Sequence, residues 1–390
     1  MTVTLPLGFI PLVDAAPLIV AAEFGFAEAE GLHLDLHRAA SWSMLRDMLD
    51  FGQVVAAQML SVVPVATALG LGGGRAALEA PMVLSLNGQV IGVSARIAKV
   101  LADRGFAFDF TDAKAAGQAL LAIGIPLRIG VPFLFSMHTE LVHYWLGGLG
   151  AATAPKIDIL TVPPPQMAAA LVANEIDVFC VGEPWGSHAV EAADAHLLLP
   201  GSAIWSQSPE KVLVTRAGWC DAEPDLAGRL LRSVWRAGRW LGDPSNRITA
   251  SEVLGRPAFL DLSPDLLDHA FSGRIVTCRS GREVDVAQFI EFHNGAANFP
   301  WRSQGAWIGA GLAKRYGLAP GRAIDTARAT YRSDIYRLHM AEQGAGMPMA
   351  SDKAEGVLSV PTAVAATRST LILGRNQFFD GKIFDPAVAV

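Results

Sequence analysis

The chain has 390 residues, of which 51% are hydrophobic and only 17% are charged, and its formal net charge is −6. This length allows two or more domains, and the composition excludes a disordered chain, because disorder requires low hydrophobicity and high net charge. No basic run or basic half is present, which argues against direct binding of nucleic acid. A small anion needs only a local positive charge, and such a ligand is not excluded.

Strand and helix patterns alternate from the start of the chain to about residue 222. The predicted strands, which are apolar or alternate between apolar and polar residues, cover 2–9, 33–37, 54–60, 82–86, 128–131, 156–162, 177–181, 196–199 and 212–215. The predicted helices between them cover 16–30, 41–50, 64–71, 111–122, 138–147 and 166–174. This alternation is typical of α/β proteins, in which helices flank parallel sheets.

Helical patterns dominate the chain after residue 222. They cover 225–241, 248–254, 264–271, 284–294, 306–316 and 324–331, and we expect the last segment, 376–390, to pack as an extended strap. Residues 43–60 and 165–182 both run from a helix through a turn to a strand, which indicates two similar α/β lobes. Ligands of such folds bind beyond the carboxyl ends of strands, in clefts between domains.

Several classes of site are not expected. The sequence has no P-loop, dinucleotide fingerprint, serine-nucleophile elbow or HExxH motif. Cys180, Cys220 and Cys278 are widely spaced, which argues against a disulfide framework or a thiolate zinc site. His33 and His37 share one strand face, but no third ligand is evident and a solvated edge is favoured over a metal pair. We therefore predict neither a metal nor a cofactor.

Membrane association and export are not expected either. Residues 51–74 carry no charge and are long enough to span a bilayer, but Gln53, Gln58 and Pro64 favour a buried strand followed by a buried helix. The first basic residue is Arg38, and acidic residues interrupt the apolar stretch before it, unlike a secretory signal. From this pattern we expect a cytoplasmic location.

Polar and aromatic residues that stand at predicted strand ends are the candidate ligand-binding residues: Trp42, Gln89, His138, Glu183 and Lys211. They comprise an aromatic wall, an amide, a titratable donor, a carboxylate near a helix start and a cation. This set of groups suits the binding of a small anion and not catalysis, since neither paired carboxylates nor a nucleophile–base pair accompanies it.

Each candidate also has a structural alternative. Trp42 suits a residue that covers a sheet end, and His138 suits a satisfied structural histidine. Glu183 either has only a structural role at the start of a helix or lies at the mouth of a cleft. Lys211 is also consistent with a solvated surface lysine.

Nine short motifs along nearly the whole chain carry a family resemblance. They are GFIPLVDAAP at 8–17, ASW at 40–42 followed by RD at 46–47, LNGQ at 86–89, His138 ahead of YWL at 144–146, VGEPW at 181–185, PEKV at 209–212, NFPW at 298–301, YRSD at 331–334 and FFDGKIFD at 378–385. Together they resemble the nitrate/bicarbonate-binding family of ABC-transporter solute receptors, the NrtA/CmpA type.

The resemblance implies a type II periplasmic-binding-protein fold with two lobes, a hinge, a cleft and a C-terminal helical extension. Lobe I is expected from 1–88 and 206–390, and lobe II from 89–205. By motif, the family's nitrate ligands fall on Trp42, Gln89, His138 and Lys211. The lysine favours the nitrate branch over the bicarbonate branch, in which calcium assists binding, while Glu183 and Glu210 keep bicarbonate open.

The apparent lack of an export signal makes the chain most similar to the NasS-type members of this family, which are cytoplasmic nitrate/nitrite sensors. These hold an ANTAR-type RNA-binding antiterminator (NasT-like) inactive until the anion binds. The expected partners are therefore nitrate or nitrite and such an antiterminator, with no direct nucleic-acid contact and no membrane. The alternative is the substrate-binding component of a nitrate or bicarbonate ABC transporter.

Enzymes also occur on this scaffold. Catalysis would need a reactive group in the cleft, and Cys180, the best candidate, lies in a buried strand pattern and is predicted to be inert. We therefore predict no enzymatic activity. The expected site consists of one lone ammonium, that of Lys211, framed by uncharged hydrogen-bond donors where the two lobes meet.

Overall fold

A computed structural model of the chain describes residues 2–150, 157–368 and 370–388. Its strands are β1 (Val3–Phe9), β2 (Leu32–Arg38), β3 (Ala56–Leu60), β4 (Leu78–Asn87), β5 (Gln89–Val93), β6 (Leu127–Val131), β7 (Ile157–Thr161), β8 (Val178–Gly182), β9 (His196–Pro200), β10 (Pro209–Arg216), β11 (Arg274–Val276), β12 (Glu283–Asp285), β13 (Ile290–Glu291), β14 (Thr362–Ala365) and β15 (Thr370–Leu373).

The α-helices in the same residues are α1 (Ala16–Glu23), α2 (Trp42–Asp50), α3 (Val62–Ala68), α4 (Ala95–Asp103), α5 (Ala113–Leu121), α6 (Met137–Gly148), α7 (Met167–Val172), α8 (Trp185–Ala193), α9 (Trp219–Ala222), α10 (Pro224–Leu241), α11 (Arg247–Leu254), α12 (Pro264–Ser272), α13 (Arg302–Tyr316), α14 (Pro320–Thr330) and α15 (Ser333–Met340). Strands and helices alternate as predicted, which confirms the α/β fold class.

Two large sheets organise the chain. The first has six strands in the order β13-β4-β10-β3-β1-β2, and the second has five in the order β7-β6-β8-β5-β9. In the first sheet, β1 pairs in parallel with β2 and β3, and β10 runs antiparallel between β3 and β4. In the second, β6 pairs in parallel with β7 and β8, and β5 is antiparallel to its neighbours. We call the units built on these sheets the first lobe and the second lobe.

The chain crosses between the lobes at two neighbouring segments. The first is Asn87-Gly88-Gln89, between β4 and β5, and the second connects β9 with β10. Asn87 joins them, since its backbone N–H donates to Ser208 O at 2.9 Å and its side chain donates to Ser206 O at 2.8 Å. Gly88 has a φ of +89°, and a Cβ there would lie 2.8 Å from Ile290 Cδ1, so the first crossing requires glycine.

Two predicted helices differ from the structure. The helix predicted over 16–30 ends at Glu23, because the chain turns at Gly25 with a φ of +73°. The helix predicted over 284–294 is wrong: β12 and β13 lie there instead, where Val284 pairs with Ile275 and Ile290 pairs with Asn87. Pairing with distant strands outweighs a weak local helical periodicity. Of the strand predicted over 156–162, residue 156 lies outside the described residues.

The segment 376–388 runs without a helix across the junction of the lobes, and 389–390 lie outside the described residues. Its Phe378 ring lies 5.0 Å from Trp205 and 5.9 Å from Trp307, centroid to centroid. Residues 51–74 contain β3 and α3, a buried strand followed by a buried helix as predicted. Within the described ranges, no helix combines the length and the apolar character that a membrane crossing demands.

Candidate functional site

Lys211 lies inside β10 and is fully buried, not ahead of a strand as the sequence pattern predicts. This burial excludes the solvated surface lysine. Its Nζ lies 2.8 Å from Asp14 Oδ2 and 2.7 Å from Glu210 Oε1, and all three side chains are at most 3% exposed. The prediction of a lone ammonium among uncharged donors is therefore wrong, because two carboxylates contact it.

The electrostatics of this cluster keep the ammonium charged. Burial by itself lowers the pKa of Lys211, but Asp14 and Glu210 outweigh it and raise that pKa above its usual value. Burial also raises the pKa of both carboxyls, against the attraction of the lysine. Gln58 donates to Asp14 Oδ1 through Nε2 and accepts from the Ile10 backbone N–H at 2.9 Å, which fixes its amide orientation.

His138 reaches the cluster from the second lobe. It lies in the first turn of α6, which Ser136 caps by accepting from the Thr139 N–H at 3.2 Å. Its Nδ1 lies 3.3 Å from Glu210 Oε1 without hydrogen-bond geometry, and neither ring nitrogen has a partner in the described residues. Burial and the charge of Lys211 hold the pKa of His138 well below its usual value. The ring is therefore neutral, and it is not a satisfied structural histidine.

Gln89 is the first residue of β5 and follows the end of β4 at the first crossing between the lobes. It pairs with Gly182 of β8, and neither polar atom of its buried amide has a partner among the described residues. A Cβ on Gly182 would lie 3.8 Å from His138 Nε2 and 3.7 Å from Asp14 Oδ2. The pairing therefore places Gln89 on the strand next to the one whose end meets the charged cluster.

Trp42 closes the cluster from the first helical position of α2. Its ring centroid lies 5.4 Å from Lys211 Nζ, the residue is 3% exposed, and its Nε1 has no partner in the described chain. Trp42 also lines a cavity of about 420 Å³ between Pro11 of the first lobe and Pro132 and Phe133 of the second. It thus stands between the charged cluster and the opening between the lobes.

Glu183 occupies a different position from the other candidates. Its Oε2 accepts from the Ser187 N–H at 3.1 Å at the start of α8, while Oε1 is buried and has no partner in the described residues. Its backbone carbonyl accepts from the Val13 N–H at 3.1 Å, beside Asp14 and across the lobe junction. Its clearest link to the cluster is through the main chain.

Contacts across the junction show that the lobes are closed on each other. Besides the Val13 contact, Trp185 Nε1 donates to Pro11 O at 3.1 Å. Arg315 of α13 pairs with Glu140 of α6, and burial raises the pKa of Glu140 to about 7 against that pairing. The donors Trp42 and Lys211 come from the first lobe, whereas Gln89 and His138 come from the second.

Sequence reasoning missed the roles of Asp14 and Gln58. Both are polar residues inside apolar runs, and that isolation is the signal that marks them, because a buried polar group needs a partner. Cys180 lies buried in β8, and burial raises the pKa of its thiol well above the usual range, so the thiolate needed of a nucleophile does not form.

The chemistry of the site follows from its unpartnered atoms. Trp42 Nε1, Gln89 Nε2 and one nitrogen of the neutral His138 are donors without acceptors in the described chain. Buried donors are nearly always satisfied in folded proteins. The arrangement therefore suits a small ligand with several acceptor atoms, held beside an ammonium.

Stability is expected to decrease as the pH rises from about 5 to 7, partly because of Glu183. Burial raises its pKa from 4.5 to about 7, so its contribution is fully present below pH 4.5 and is lost as the pH rises through 7. The slope is up to about 1.4 kcal/mol per pH unit for one such group. Urea unfolding from pH 4 to 8 should show a shallower decrease for Glu183→Gln, and the exposed control Glu28→Gln should keep the wild-type profile. An unchanged profile for Glu183→Gln contradicts this prediction.

Comparison with known proteins shows which proteins the chain is similar to. The nitrate/nitrite binding protein NrtA of Synechococcus elongatus is 30% identical over 396 residues, covering 97% of this chain and 83% of that protein. The nitrate import ATP-binding protein NrtC of the same organism is 31% identical over 345 residues, covering 87% of this chain but 50% of that protein. The chain thus spans about half the length of this second relative.

Structural comparison shows the same fold. The crystal structure of the periplasmic nitrate-binding protein NrtA from Synechocystis superposes with a TM-score of 0.84, covers 99% of this chain and 96% of its own, and is 24% identical. The prediction of a periplasmic-binding-protein fold is confirmed. The sequence profile of the NMT1-like family matches residues 2–255, more than half of the chain, and the chain belongs to the NMT1-like family.

Proposed function

We propose that the chain binds nitrate or nitrite between its two lobes and is not an enzyme. The observation that carries this proposal is the set of buried, unpartnered donors of Trp42, Gln89 and His138 near the Lys211 ammonium. Leaving a buried donor unsatisfied costs about 1–3 kcal/mol. A small planar anion satisfies several of these donors at once, because each of its oxygens accepts. The relatives named for nitrate or nitrite binding, one of which aligns over 97% of this chain, support this ligand.

We expect the anion to favour closure of the lobes, because the donors that surround it come from both lobes. Trp42 and Lys211 belong to the first lobe, and Gln89 and His138 belong to the second. An anion that contacts both sets binds the closed form more tightly than the open form, and it therefore shifts the equilibrium toward closure. The adjacent crossings at Asn87 and Ser208 provide the hinge for this motion.

We propose that the closed form delivers the anion to an ABC transporter. Relatives named as a nitrate import protein and as a periplasmic nitrate-binding protein favour this role over the sensor role. The sensor role, in which the anion releases an ANTAR-type antiterminator, stays a prediction, as does a cytoplasmic location. Adding nitrate to the chain mixed with a purified antiterminator of that class separates the two: dissociation of a complex supports the sensor, and no complex contradicts it.

Calorimetric titration with nitrate, nitrite and bicarbonate, with and without calcium, tests the ligand. We expect nitrate and nitrite to bind with one-to-one stoichiometry without calcium. Chloride, which is not planar and offers one acceptor atom, serves as the control anion and is expected to bind far more weakly. Binding of bicarbonate alone, or only in the presence of calcium, would contradict the proposed ligand.

A further inference from the structure

The charges at the centre of the site indicate what must accompany the binding of an anion. This inference rests on the proposed anion binding. One ammonium, that of Lys211, contacts the two carboxylates of Asp14 and Glu210 at 2.8 and 2.7 Å. With both carboxylates ionised, this buried cluster has one net negative charge. A bound monoanion adds a second negative charge in the same buried place, and neighbouring like charges there favour uptake of a proton.

An anion that only accepts hydrogen bonds also requires groups that donate them. Nitrate only accepts hydrogen bonds, and an ionised carboxylate also only accepts, whereas a protonated carboxyl has an O–H to donate. Glu210 Oε1 accepts from Lys211, but its Oε2 is buried and has no partner among the described residues. Asp14 differs, because Gln58 donates to its Oδ1 and Lys211 contacts its Oδ2. Glu210 is therefore the carboxylate with an oxygen free to take the proton.

The other titratable groups around Glu210 do not supply that proton. They face it from three elements besides β10: Asp14 from the turn before α1, His138 from α6 and Cys180 from β8. Burial and Lys211 hold the pKa of His138 well below its usual value, so its ring stays neutral near neutral pH. Burial raises the pKa of the Cys180 thiol, which also stays neutral.

We propose that Glu210 is a specificity-determining residue that takes up a proton from solvent when an acceptor-only anion enters the site. Nitrate binding then consumes one proton, and the new O–H of Glu210 donates to the anion. A ligand that brings its own O–H, such as bicarbonate, donates to the ionised Glu210 carboxylate and needs no proton. The protonation state of one carboxyl thus distinguishes two chemical classes of planar anion.

Calorimetry in buffers of different ionisation enthalpy measures the proton count directly. For the wild-type chain, the heat of nitrate binding is expected to depend on the buffer with a slope of one proton per anion. The dissociation constant should rise about tenfold per pH unit above the pKa of Glu210 in the free protein, since one proton is linked to binding. Bicarbonate that binds at pH 8 should show no such buffer dependence.

Two glutamine variants test whether Glu210 is the residue that takes up the proton when nitrate binds. Glu210→Gln is expected to lose both the buffer dependence and the pH dependence of nitrate binding. Glu140→Gln is the matched control, because Glu140, like Glu210, is a buried carboxyl whose pKa burial raises, but it faces Arg315 of α13. The control should keep the uptake of one proton.

Several outcomes overturn the inference. They are nitrate heats that do not change with buffer in the wild type, proton uptake that persists in Glu210→Gln, and uptake that is lost in Glu183→Gln instead. If Glu210→Gln does not fold, infrared difference spectra of the wild type decide: nitrate should produce a new carboxylic-acid carbonyl band, and its absence contradicts the proposal. Failure of nitrate and nitrite to bind at any pH contradicts the proposed function itself, a result distinct from binding without proton uptake.

Discussion

Replacing Lys211 with methionine is expected to abolish nitrate binding and to lower the free energy of unfolding by about 3–5 kcal/mol. The lysine is fully buried and contacts Asp14 and Glu210, so its removal leaves two carboxylates together without a counter-charge. Burial already raises the pKa of both carboxyls. Urea unfolding measures the loss of stability, and calorimetric titration with nitrate measures the loss of binding.

A triple variant separates the two effects of this substitution. Lys211→Met combined with Asp14→Asn and Glu210→Gln removes all three charges and keeps similar side-chain volumes. Replacing a whole buried ionic cluster is often neutral for stability, whereas removing one partner is not. We expect the triple variant to recover most of the lost stability but not the binding. Wild-type nitrate affinity in the triple variant would show that the site does not need a cation.

Replacing Trp42 with alanine has the second largest expected effect. Truncation of a buried tryptophan costs about 3–5 kcal/mol of stability, and here it also opens the cluster toward the cavity between the lobes. The ring lies 5.4 Å from Lys211 Nζ, and its Nε1 is a buried donor without a partner in the described residues. We therefore expect nitrate affinity to decrease at least about tenfold, the equivalent of roughly one charge-assisted hydrogen bond.

The variant Trp42→Phe separates the contribution of the aromatic ring from that of the indole N–H donor. Phenylalanine keeps an aromatic ring beside the ammonium but has no N–H, so its effect isolates the hydrogen bond to the charged anion, worth about 1.5 kcal/mol or roughly a tenfold change in affinity. Thermal unfolding and nitrate titration of both variants are compared with the wild type. Equal nitrate affinity in the alanine variant and the wild type contradicts a role for Trp42 in the site.

Replacing Asp14 with asparagine distinguishes two accounts of how a buried site attracts an anion. In the first, positive charge alone attracts it, and Asp14→Asn strengthens binding. In the second, the carboxylates hold the ammonium in place and take up the proton that binding requires. The short contacts of Lys211 and the open oxygen of Glu210 favour the second account.

The sequence alone determined the α/β class and several of the positions that build the site. Alternating strand and helix patterns reflect which face of each element is buried, and this is a local property. Serines that precede helices mark the starts of α2 and α6, because an N-cap acts within one turn. For this reason, Trp42 and His138 were recognisable as residues at the ends of strands.

Tertiary structure alone decided what those residues contact. The β10 strand inserts between β3 and β4, which carries Glu210 and Lys211 to Asp14 from far along the chain. Likewise, β12 and β13 form in the region of residues 284–294 because β11 and β4 are available as partners. The periodicity of apolar residues indicates which face of a strand or helix is buried, but it does not indicate which strand pairs with which in the sheet. The charge of the site is the sum over such distant partners, so an apparently lone lysine proved to be one member of a buried cluster of three charges.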